Sequence, residues 1–160
     1  MGVALRPAGD DDEAFLHEVF ASTRQRELEA LAADQRAAFV RMQYVAQDGQ
    51  YRQAYPDAAF DVVLVDGMPV GRLSVARRPD EIRIVDIALL PGHRGRGIGT
   101  ALLEAVLAEG TARSQPVTLH VDSRNQACRL YHRLGFSAVS ERGGTLFLER
   151  QPRDAGPAVS

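Results

Sequence analysis

The spacing of apolar residues changes period several times along the chain, and each change marks an element. Val3 to Arg6 predicts a short strand, and Gly9-Asp10-Asp11-Asp12 predicts a helix start, because acidic side chains suit the positive end of a helix dipole. That helix extends to about Ala21. From Ser22 to Tyr55 the residues Leu28, Leu31, Phe39, Met42 and Val45 recur at helical rather than alternating spacing until Pro56 stops the run. Two helices or one broken helix are expected. Phe60 to Val65, the Asp66-Gly67 turn and Val70 to Arg77 predict a hairpin, and Pro79-Asp80 turns the chain into a strand from Ile82 to Leu90. An amphipathic helix from Ile98 to about Gly110, a strand over Val117 to Val121, a helix over Asn125 to Leu134 and a closing hairpin over Ser137 to Glu149 complete the pattern. Residues 1–150 read as a single domain, and 151–160 as a flexible tail. The strand, helix and strand between Ile82 and Val121 form one βαβ unit, whose right-handed crossover makes the two strands parallel neighbours.

Composition narrows the classes. At 160 residues, 45% hydrophobic and 25% charged, the chain suits one compact domain with a real core. Net charge is -2 and Arg77-Arg78 is an isolated basic pair, so nucleic acid is not an expected partner. No apolar run approaches the roughly 20 residues of a membrane span, and Met1 to Gly9 lacks an apolar signal region, so a soluble, cytoplasmic protein is expected. The single cysteine, Cys128, excludes an internal disulfide and agrees with a reducing compartment. All nineteen basic residues are arginine, which removes lysine as a nucleophile or Schiff base.

The richest segment is Arg94-Gly95-Arg96-Gly97-Ile98-Gly99-Thr100, placed between a strand and a helix. Glycine lets main-chain N–H groups approach an anion, and the first turn of a helix adds unpaired donors and the positive dipole end. An anionic ligand is expected. A P-loop is excluded because its lysine is missing, and a dinucleotide fingerprint fails where Ala101 and Leu102 replace the third glycine. The bland alternative is a strand-to-helix turn whose glycines relieve crowding.

Ile87-Ala-Leu-Leu-Pro-Gly-His-Arg-Gly-Arg-Gly-Ile-Gly-Thr-Ala-Leu-Leu103 closely resembles the acyl-CoA-binding segment of the GNAT superfamily of N-acyltransferases, with its Arg/Gln-x-x-Gly-x-Gly/Ala core at Arg94, Gly97 and Gly99. Asn125-Gln-Ala-Cys-Arg-Leu-Tyr-His-Arg-Leu-Gly-Phe136 resembles the later signature of the same family. The resemblance implies an α/β (α+β) fold: a mixed, mostly antiparallel central sheet with a parallel, splayed βαβ pair and flanking helices. It implies acetyl-CoA as cosubstrate and an amine acceptor as partner, with no metal. In this reading the main chain of Ile87, Ala88 and Leu89 pairs with the pantetheine arm, much as an added strand would. The N–H groups from Gly95 through Arg96, Gly97, Ile98 and Gly99 to Thr100 hold the pyrophosphate. Arg94 and Arg96 either add charge there or remain solvated loop side chains.

Acyl transfer from a thioester to an amine calls for two proton-handling groups. The resemblance assigns the acid to Tyr131, whose phenol, with a pKa of about 10, stays protonated at neutral pH and can protonate a leaving thiolate. Core packing is the structural alternative. The base is open. Alternation puts Arg83, Val85, Ile87 and Leu89 on one face of their strand, with Asp86, Ile84 and Ala88 on the other. Asp86, His120 on the next strand, or water alone could take the proton. Asn125 suits a helix N-cap, and by resemblance also bonds the pantetheine. Cys128 and His132 share a helix face, but no third residue orients them. Arg24, Arg26, Glu27, Gln43, Gln47, Tyr51 and Tyr55 are available to line an acceptor site. A non-catalytic acyl-CoA-binding regulatory module is the alternative to an enzyme, and the edge strands around Ser137–Glu149 leave room for a homodimer.

Overall fold

Asp66 and Gly67 both adopt positive φ, 49° and 83°, which is the backbone of a two-residue hairpin turn. They join β2 (Ala59–Val65) to β3 (Met68–Arg77) in a computed structural model that describes residues 2–153. The other strands are β1 (Val3–Pro7), β4 (Ile82–Leu89), β5 (Val117–Asp122), β6 (Ser137–Arg142) and β7 (Thr145–Arg150). The helices are α1 (Glu13–Ser22), α2 (Gln25–Glu29), α3 (Ala33–Ala54), α4 (Ile98–Ala112) and α5 (Cys128–Arg133). Seven strands form a sheet in the order β1-β2-β3-β4-β5-β7-β6. The β1/β2, β5/β7 and β6/β7 pairs are antiparallel and β4/β5 is parallel, so the mixed class expected from the sequence is the class observed.

The chain divides into two compact units. One comprises the described residues of Met1–Ser74 and Asp86–Arg96, the other those of Val75–Val85 and Gly97–Ser160. In the first, Leu16, Val19 and Phe20 of α1 are buried, as are Val62, Val63 and Val70 of the strands. Each such side chain contributes about 1.5–3 kcal/mol by leaving water. The Tyr44 ring, on α3, lies edge-to-face with His17 and Phe20, with ring centres 4.6 Å and 6.0 Å apart, which fixes α3 against α1. Arg6 grips Asp12 through two 2.8 Å hydrogen bonds, and the Gly9 N–H donates a third to the same carboxylate. These contacts hold the Asp12 carboxyl at about 2, far below its ordinary value. At Gly71 an added Cβ would lie 2.3 Å from the Ala88 carbonyl oxygen, so only glycine permits the approach of β3 and β4 there.

In the second unit α4 buries Ile98, Leu102, Leu103, Val106 and Leu107. Ile82, Ile84, Val117, Leu119 and Val121 add the apolar strand positions. The parallel register runs from Ile82 opposite Val117 to Ile84 opposite Leu119. Gly143 and Gly144, both at positive φ, turn β6 into β7, and β6 is exposed along its whole length.

Most expected elements appear, with two differences. The long helical stretch resolves into α2 and α3, but Met42 and Val45 are 62% and 60% exposed, so the apolar spacing does not mark the inward face of α3. The helix expected from Asn125 begins only at Cys128. The Asn125 side chain accepts the Ala127 N–H at 2.8 Å, closing a local turn before the helix in place of the expected N-cap. The expected tail at 151–160 falls outside the described residues from 154 onward. Among the described residues no helix is long and apolar enough to cross a membrane.

Candidate active site

Between β4 and α4 the chain makes one tight helical turn at Pro91–His93 and then two glycine-dependent bends, with φ of 73° at Gly95 and 83° at Gly97. A Cβ at Gly92, Gly95 or Gly97 would meet nothing within 4 Å. The glycines therefore make no room for other parts of the protein. They set the backbone path and leave the main chain bare to a ligand. Ala101 N–H closes the first helical bond, 3.0 Å to the Gly97 carbonyl, which leaves the N–H groups of Ile98, Gly99 and Thr100 at the positive helix end. Ile98 is buried and anchors that end. The Arg94 guanidinium turns back instead of facing a ligand: Nε donates to the Leu89 carbonyl at 2.9 Å and Nη2 to Ser22 Oγ at 3.4 Å. Arg96 is exposed.

Within the first unit, beneath α3, lies a cleft of about 380 Å³ counting its open mouth. On its floor Asp86 Oδ2 pairs with Arg72 Nε, and the two side chains retain only 18% and 11% exposure. Gln47, from α3, accepts Arg72 Nη2 at 2.9 Å and so fixes the guanidinium plane. Among the described residues nothing donates to Asp86 Oδ1, and Arg72 Nη1 has no acceptor. Burial pushes the Asp86 carboxyl up, while Arg72 and, further off, Arg24 pull it down. Tyr44, Tyr51 and Phe60 line the walls, and burial raises both tyrosines. The Asp48–Arg52 pair, 3.0 Å apart, also lines the cleft, with Arg52 lying over the Phe60 ring.

His120 belongs to a different cluster, inside the second unit. Arg83 is 9% exposed and donates from Nε to Thr118 Oγ1 at 2.7 Å and from Nη2 to Glu81 Oε1 at 3.3 Å. Thr118 Oγ1 donates in turn to Glu81 Oε2 at 3.0 Å. Arg83 Nη1 lies 3.1 Å from His120 Nδ1. A guanidinium can only donate, so Nδ1 accepts, and the neutral ring carries its proton on Nε2. Its one lone pair is occupied. Burial, then the Arg83 charge, lowers the His120 pKa, against the opposing pull of Glu81. Tyr131 is 5% exposed, with its ring edge-on to Phe136 at 5.6 Å. Cys128 Sγ reaches back to the Asp122 carbonyl at 3.5 Å, engaging the thiol away from the imidazole considered as its partner.

Of the acceptor-lining candidates, Gln47 and Tyr51 do line the cleft. Arg72, Tyr44 and Ser74 join them there without having been expected. The available signal for Arg72 was an arginine inside an otherwise apolar strand, between Val70 and Leu73.

The sequence matches the Acetyltransferase (GNAT) family over residues 11–136, and the chain belongs to that family. Solved structures share its fold. The PaiA N-acetyltransferase of Thermoplasma acidophilum, determined in complex with coenzyme A, is 17% identical at a TM-score of 0.68, covering 94% of this chain and 99% of that one. An acetyltransferase of Thermus thermophilus is 24% identical at 0.69, covering 94% and 97%. PH1933 of Pyrococcus horikoshii is 18% identical at 0.71, covering 95% and 99%.

Proposed function

We propose that this protein transfers the acetyl group of acetyl-CoA to a primary amine of a small molecule or protein, by direct attack of the amine on the thioester. The observation that carries this reading is the bare, glycine-bent main chain leading into α4 in a chain of the GNAT family. The N–H groups from Gly95 to Thr100 hold the coenzyme's pyrophosphate, and the main chain of Ile87 and Ala88 serves its pantetheine arm. Leu89 offers less to that arm, since its carbonyl already accepts Arg94. Arg96 is the arginine available for added charge, and Asn125 contributes from the turn before α5.

In the reaction a C–N bond forms as the C–S bond breaks. The nitrogen, arriving as an ammonium, loses two protons: one ends on the departing sulfur and the other passes to solvent. Asp86 accepts the first proton, because its Oδ1 is open whereas the His120 lone pair is taken. Tyr131 protonates the thiolate and is restored by the second proton from the nitrogen.

Acetyl-CoA at a hundredfold excess over its Kd is expected to stabilise the protein by about 2.7 kcal/mol, with NAD or ATP doing far less. Gly97→Val forces a β-branched residue into positive φ and covers the bare amides, so the shift should vanish while the fold, followed by circular dichroism, persists. A full shift in that variant would place the phosphates elsewhere. Tyr131→Phe is expected to slow turnover by about 10²–10⁴-fold with coenzyme affinity kept, and unchanged turnover would remove Tyr131 from the mechanism.

A further inference from the structure

We propose that the cleft beneath α3 selects acceptors bearing a carboxylate next to the reacting amine, as in an α-amino acid, with Asp86 receiving the ammonium and Arg72 the carboxylate. This rests on the acetyl-transfer reading above and goes further, to the class of acceptor. The floor of the cleft presents two opposite charges side by side, and each has an unused face. Asp86 Oδ2 faces Arg72 Nε as an ion pair, and Arg72 Nη2 donates to Gln47. Arg72 Nη1 donates to no described residue, so an edge of the guanidinium fork is available to a carboxylate. Gln47 holds that fork in one plane before any ligand arrives.

An α-amino acid separates its own two charges by a single carbon and so matches a floor whose acceptor and donor are contiguous. A plain amine would satisfy Asp86 and leave the guanidinium end dry and unpaired, which a site built for a polar group penalises. A carboxylic acid without an amine would set its charge against Asp86. The other ion pair of the cleft, Asp48 with Arg52, keeps more of its surface in solvent, 31% and 54% against 18% and 11%, so water weakens its hold on a zwitterion relative to the sheltered pair. The rings of Tyr44, Tyr51 and Phe60 offer a mixed apolar and hydroxylic wall to the acceptor's side chain.

The test uses the wild-type protein with acetyl-CoA and matched sets of compounds: the common amino acids, their amides, and the amines left by decarboxylation. For at least one set the amino acid should exceed both analogues in kcat/KM by about tenfold or more, the usual range for a lost charge-assisted hydrogen bond. Arg72→Lys retains the charge but not the fork, and should bring that ratio close to one. Calorimetric titration of the same compounds without acetyl-CoA separates this inference from the reaction it rests on. Amino acids that bind ahead of their amides, with no compound acetylated, would uphold the cleft and overturn the transfer reading. Amines acetylated as well as amino acids, or amino acids that neither bind nor react, would overturn the proposal. Should Arg72→Lys fail to fold, the wild-type comparison decides alone.

Discussion

Two arginines on neighbouring strands, Arg72 on β3 and Arg83 on β4, are each mostly buried and each paired with an acid, yet the clusters around them differ in one respect. Around Arg83 the bonds close: Thr118, Glu81 and His120 all engage the guanidinium, and Thr118 also engages Glu81. Around Arg72 fewer bonds form among the described residues: Gln47 accepts from Nη2, and Asp86 faces Nε as an ion pair. A closed polar network stabilises and orients, whereas one left incomplete at a cleft is ready to bind. The contrast bears on the two candidate bases, His120 and Asp86, between which the sequence alone leaned slightly to His120.

The largest expected effect is on turnover. Asp86→Asn should lower kcat/KM by about 10²–10⁴-fold, whereas His120→Gln should stay within about threefold. A reversed order would exchange the roles of the two clusters. The pH profile sharpens the point. Since burial raises Asp86, the rate should rise with pH as that carboxyl ionises, with a midpoint above the ordinary carboxylate range, and Asp86→Asn should lose that limb.

A smaller effect should fall on stability at the closed cluster. Thr118→Val keeps the shape but removes the acceptor for Arg83 Nε, and should cost about 1–3 kcal/mol in urea unfolding. No loss would mean that the network contributes nothing net.

The smallest effect concerns His120. Its folded-state pKa lies below 6.5, so as pH falls the unfolded chain binds the proton first. The stability it contributes is therefore complete above 6.5 and lost as pH drops through the folded value. His120→Gln should flatten the decline in stability measured between about pH 7.5 and 5, and an unchanged decline would assign it to other groups.

The glycine-bent loop and the βαβ unit were legible because their signals are local. Alternating glycines after a strand and an apolar helical stripe behind them need no distant partner to be read. The cleft beneath α3 was hidden for the opposite reason. Arg72 and Asp86 meet only when β3 lies beside β4, and nothing in the spacing of either strand announces the pair. In α3 the apolar residues themselves misled: Met42 and Val45 face outward, while Tyr44, Gln47 and Tyr51 turn toward the cleft. A cleft lined by polar and aromatic side chains reverses the usual rule of burial. Arg94 was half legible, because its position in the motif could be read but not the turn of its side chain onto Leu89 and Ser22.

Gly71 has a consequence for redesign. With the Ala88 oxygen where a methyl group would have to go, any larger residue at 71 would push β3 away from β4 and displace Arg72 relative to Asp86. Changes to the shape of the cleft fall more cheaply to the lining helix, which has no fully buried residue. One wall of the cleft is thus intolerant of added bulk, and the other accommodates it.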